Sequence, residues 1–153
     1  MPTQTIASAR VNLVARLNVA VGGALVECQS VNGLLDGGTQ RLDRGFSVQP
    51  KSVKWLKKSR QASRVAGARV GAIFNVELGY ILRPSDGLAA PATALDDLDA
   101  VLATLYTPDE DLTSGSASAL VIGDVGFTYN DGGAYLIVSF TVEVVFALPL
   151  VPV

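Results

Sequence analysis

The chain has 153 residues, of which 49% are apolar and only 17% charged, with a formal net charge of -2. That length points to a single domain spanning residues 1–153, the apolar content excludes disorder as the overall state, and no run of ~18 apolar residues without a charge or breaker is present to form a transmembrane helix. There is no histidine, which removes the commonest general base, the commonest zinc ligand and any Ser/His or Cys/His nucleophilic pair.

Residues 5–20 carry Ile6, Ala9, Leu13, Leu17 and Ala20 at three- and four-residue steps, with Arg10 and Arg16 off that stripe, and predict an amphipathic helix. Gly22 and Gly23 follow where a helix end needs positive φ. The opening residues lack the basic end and apolar core of a signal peptide, so a reducing cytoplasm is expected. The single cysteine, Cys28, sits among apolar neighbours and reads as a buried structural thiol. Residues 24–30 suit a strand, and the Gly-rich residues 35–39 a loop or turn.

Residues 45–53 alternate as an extended segment, with Pro50 marking an edge or a strand end. The charge is strongly divided. Residues 41–69 hold nine Lys/Arg and one acid, Asp43, a net of +8, whereas the rest of the chain carries -10. Lys51, Lys54, Lys57, Lys58, Arg60, Arg64 and Arg69 fall within nineteen residues, and residues 51–67 read as a basic loop or arm between two strands. Such an arm is either a solvated loop or a basic surface for nucleic-acid phosphates or an acidic protein partner. Trp55 alone is too little aromatic surface for base stacking.

In residues 69–82, Val70, Ala72, Phe74, Val76, Leu78, Tyr80 and Leu82 share one face, and the other face is mixed. Residues 83–87 carry turn chemistry, and a helix opened by Pro91 and Thr93 follows. Its apolar stripe is Leu95, Leu98, Leu102 and Leu105, with Asp96 and Asp97 in the first turn, where the helix dipole favours acids. Residues 107–118 form a polar loop containing Asp109, Glu110 and Asp111, a further candidate receiver for the basic arm. A hairpin follows: residues 119–129 and 134–147 flank Asn130, Asp131, Gly132 and Gly133, with Leu136, Val138, Phe140, Val142, Val144 and Phe146 on one face of the last strand. The order of elements predicts an α+β fold, a mostly antiparallel sheet with two helices packed on one face.

No phosphate-binding loop is present, because GxxxxGK[ST] is absent and Gly22-Gly23 follows a helix. Asp96, Asp97 and Asp99 are explained as helix acids rather than metal ligands. Glu77 and Glu143 lie on the mixed faces of two strands without a general-base partner. No catalytic residue, metal site or cofactor is therefore expected, and the chain reads as a non-enzyme.

The helix of residues 5–20, the long strand pair around a variable loop, the strand VGAIFNVELGYIL leading into the helix ATALDDLDAVLATLY, and the closing YLIVSFTVEVVFAL together resemble the tail-terminator (tail-completion) proteins of long-tailed bacteriophages. The resemblance covers most of the chain as a pattern of elements. It implies a structural virion protein, a homo-oligomeric ring of typically six subunits that caps the tail tube and presents a surface to the neck or head-completion protein. It also implies assembly in the host cytoplasm, a place at the head-proximal end of the tail and no membrane. The basic character of residues 51–67 is not a mark of that family; its charge alone raises the expectation of DNA contact in the channel without sequence preference. Another head-tail joining or tail-tube subunit shares this logic. A small ligand-binding or enzymatic α+β domain is the rival of a different class, with its site between the sheet and the loop at 107–118.

Overall fold

The first helix begins on a capping box: the Ser8 N–H donates to Thr5 Oγ1 at 3.0 Å and the Thr5 N–H donates to Ser8 Oγ at 2.8 Å. The computed structural model describes residues 5–29, 31, 43–55, 68–83, 89–106 and 118–148. Its elements in chain order are α1 (Ile6–Ala20), β1 (Val26–Glu27), β2 (Gly45–Trp55), β3 (Ala68–Ile81), α2 (Ala89–Tyr106), β4 (Ser118–Asn130), a 3-10 turn (Asp131–Gly133) and β5 (Tyr135–Leu148). The strands form one sheet in the order β1-β2-β3-β5-β4, antiparallel throughout except for the two-residue parallel pairing of β1 with β2.

The alternating faces of β3 and β5 organise the core. Val70, Ala72, Phe74, Val76, Leu78 and Tyr80 on β3 lie beside Phe146, Val144, Val142, Phe140, Val138 and Leu136 on β5, and all are buried against the helices. The arrangement is the expected α+β one, with both helices on one face. Gly132 and Gly133 take the positive φ of the β4–β5 turn, and Gly22 and Gly23 that of the α1 end.

Several local expectations are corrected. The strand expected at 24–30 is reduced to Val26–Glu27. Of the arm expected at 51–67, residues 51–55 belong instead to β2, which continues through Trp55 with Lys54 opposite Gly71 and Trp55 opposite Val70; the pairing persists because Pro50 coincides with a register shift at which the ladder is already broken. Residues 56–67 of that arm, and residues 107–117 of the polar loop, lie outside the described residues.

In α2 the inward stripe is Ala94, Leu98, Val101 and Leu105, while Leu95 is 52% exposed. The helix begins at Ala89, so Asp96 and Asp97 fall beyond its first turn. Pro91 is tolerated there, since the first helical N–H groups have no intrahelical acceptor.

Two charges expected to face water are buried. Arg16 is 5% exposed and donates through Nη1 to the carbonyls of Thr104 (2.8 Å) and Leu105 (3.4 Å), placing a cation at the C-terminal end of α2 where unpaired carbonyls and the helix dipole favour it. Asp97 is 3% exposed and receives Arg44 Nη2 at 2.7 Å, Arg44 Nε at 3.0 Å and the Tyr80 hydroxyl at 2.9 Å. This bidentate pair ties α2 to the start of β2 and to β3. Burial raises the Tyr80 phenol well above its usual range, and the bond to Asp97 adds to the effect.

Candidate functional site

The sheet face away from the helices divides into three regions. At one end Tyr135 and Ile137 of β5 are covered by Val31, with Cys28 and Ile81 packed beside them. Tyr135 lies over Gly79, where any Cβ would collide with its hydroxyl. Cys28, expected to be buried, is half-buried here, its thiol donating to the Phe46 carbonyl at 3.4 Å.

At the other end Lys54 crosses β3 to reach Glu143, with Nζ 2.8 Å from Oε2. The crossing runs over Gly71: a Cβ at that position would come within 3.2 Å of the Glu143 carboxyl and 3.3 Å of Lys54 Cε. Lys54 is thus an ion-pair partner within its own subunit.

Between these regions lies a polar trough of about 370 Å³, lined by Lys51, Asn75, Glu77, Gly123, Asp124, Ser139, Phe140 and Thr141. Its floor is the paired central strands, with Asn75 opposite Thr141 and Glu77 opposite Ser139. Its walls come from breaks in the two outer strands. On β2 the register shifts between Pro50 and Ser52, leaving Lys51 without a cross-strand partner. On β4 it shifts between Ile122 and Gly126, where Gly123 turns through φ +73 and carries Asp124 outward. Burial raises the Glu77 carboxyl above its ordinary range. Glu77 and Glu143 are not brought together, since their β5 register positions are four residues apart, about 13 Å.

The basic residues singled out in the sequence are therefore divided. Lys51 stands at the trough and Lys54 pairs with Glu143. Arg69 lies in β3 opposite Ala147. Lys57, Lys58, Arg60 and Arg64 lie outside the described residues. The trough was missed because its walls depend on strand register. The signals that point to it are Pro50-Lys51 and Gly123-Asp124, breakers inside otherwise strand-like runs.

Both long sheet edges carry exposed apolar side chains. Val53 and Trp55 on β2 are 47% and 70% exposed, and Phe127 and Tyr129 on β4 are 46% and 59% exposed. All four share the helix-bearing face, as their partners Ala72, Val70, Val138 and Leu136 do. Among the described residues no strand pairs with the outer side of β2 beyond Phe46, where Arg10 donates to the Val48 carbonyl at 3.0 and 3.2 Å and the Gln49 amide to the Gln29 carbonyl at 2.9 Å, and no strand pairs with the outer side of β4. Among the described residues no helix is long and apolar enough to cross a membrane. No family model matches the chain, and no curated protein is similar to it in sequence.

Proposed function

We propose that the chain is a structural subunit that closes into a homo-oligomeric ring, with β2 of one copy lying along β4 of the next. The observation that carries this reading is the pair of open edges. The alternation of strand direction across β2-β3-β5-β4 makes the two edges antiparallel to each other, so a second copy in the same orientation presents β4 to β2 with the polarity an antiparallel ladder needs. Such a contact is heterologous and generates a ring when the rotation closes. Pairing would also cover Val53, Trp55, Phe127 and Tyr129, and a subunit with neighbours on both sides fits a chain with only 17% charged residues.

The resemblance to phage tail terminators supplies the finer part of the proposal: a ring, typically of six, that caps the tail tube and offers its outer surface to a neck or head-completion protein. The basic residues from Lys57 to Arg64 then contribute by charge, toward DNA phosphates or an acidic partner. The trough favours a second reading, a ligand-binding domain.

Light scattering and electron microscopy of the protein, alone and with tail tubes, test the ring. A ring with a central channel is expected, and lost when Phe127 and Tyr129 are both replaced by Lys. A monomer in both settings, or unchanged rings from the Lys variant with native circular dichroism, would overturn edge pairing.

A further inference from the structure

The geometry points to the trough between the Lys51 and Asp124 bulges as a binding site for an organic cation, an ammonium or guanidinium group held over Glu77.

Register breaks occur in both outer strands, one beside Ile73 and Phe74 and the other beside Phe140, offset by two to three residues or about 7–10 Å along the sheet, so that they flank the floor diagonally. Each places an exposed charged residue, Lys51 or Asp124, in the lining of the trough, and the two walls stand three strand spacings apart, about 14 Å. A cavity of about 370 Å³ at this position has the size of a small organic ligand rather than a single bare ion.

The floor is rich in acceptors. Glu77 and Asp124 supply carboxylates, Asn75 an amide oxygen, and Ser139 and Thr141 hydroxyls. Among the described residues, no hydrogen bond or ion pair satisfies Glu77 or Asp124. Glu77 is set apart by being half-buried between β2 and β5, which makes its negative charge costly without a partner. Lys51 does not supply that partner: it is exposed at the rim and lies beyond ion-pair distance. Two carboxylates against one rim ammonium leave the trough negative, and an entering N–H cation would meet both Glu77 and the hydroxyl and amide acceptors around it.

The source of the cation is either a free amine or a Lys/Arg side chain of another protein. Two probes separate them: putrescine, and a short amidated peptide containing one arginine. Glutarate serves as the anionic control. Titration of the isotopically labelled full chain by NMR should show amide shifts confined to residues around Asn75, Glu77, Gly123, Ser139 and Thr141, together with a lowered titration midpoint for the Glu77 carboxyl. The tighter of the two probes identifies the source.

Glu77→Gln should weaken binding about tenfold or more, and Asp124→Asn, at an exposed position, should weaken it less. Absence of binding by either cation below about 10 mM, a stronger response to glutarate, or unchanged affinity in Glu77→Gln would overturn the assignment. None of these readouts requires the ring, so the site and the assembly stand or fall separately.

Discussion

Arg44, the one non-glycine among the described residues with positive φ (57°), holds Asp97 through two hydrogen bonds of 2.7 and 3.0 Å across 53 positions of sequence. The bond to Asp97 raises the Arg44 guanidinium above its usual value, so Arg44 remains a cation in the pair. Removing the cation leaves a buried carboxylate with, among the described residues, only the Tyr80 hydroxyl. Arg44→Ala should therefore cost about 3 kcal/mol, the low end for buried pairs because Arg44 is itself one-third exposed. Tyr80→Phe, which leaves the ion pair in place, should cost about 1–2 kcal/mol. Urea denaturation of both variants checks the order; equal losses would refute it.

Glu77 sets a pH dependence of opposite sign to that of a salt-bridged acid. Its carboxyl is raised above the ordinary 4.5 by burial, so the folded chain holds the proton more tightly than the unfolded one. Its contribution is complete below that ordinary value and is lost as pH rises through the raised one. Glu77→Gln should flatten this part of the stability profile and be more stable than the parent at neutral pH. Denaturation midpoints measured from pH 4 to 8 decide it.

Gly71 is the passage for the Lys54–Glu143 pair. Gly71→Val should displace that pair and destabilise the sheet by about 1–3 kcal/mol. In a double-mutant cycle, Lys54→Met and Glu143→Gln should be coupled in the Gly71 background and much less so with Val at that position.

The two leucines of α2 separate the inner and outer faces. Leu98, 8% exposed, should cost about 2–5 kcal/mol as Leu98→Ala, as should Phe140→Ala at 3% exposure. Leu95→Ala should stay within about 0.5 kcal/mol in the monomer. A large loss at Leu95 would mean that its face is covered.

How far this fold is readable from the residues depends on how local each signal is. The alternation of Val70 to Tyr80 and of Leu136 to Phe146 repeats every two positions, so both the strands and their inner faces follow from it. The stripe of α2 was harder to place. Leu98 and Leu105 belong to both candidate stripes, and the large exposed Leu95 outweighs the small buried Ala94 in any hydrophobicity count. Arg16 and Asp97 were misjudged for a different reason. Their carbonyl and guanidinium partners lie 53 to 89 positions away, and no periodicity in either helix records that such a group will arrive there. The trough belongs to the same class, because Lys51 and Asp124 become neighbours of Glu77 only through the register of other strands.

The Arg16 contact bears on the order of events during synthesis. Its acceptors on Thr104 and Leu105 are 88 and 89 residues downstream. While the chain emerges, α1 can form its capped turn early, but a buried seat for its guanidinium exists only once α2 is complete. Until then Arg16 has neither of these acceptors, and packing α1 on the earlier strands leaves its guanidinium without them. The final seating of the first helix is thereby tied to the end of α2, and a chain truncated before Thr104 should hold α1 less firmly than the full chain does.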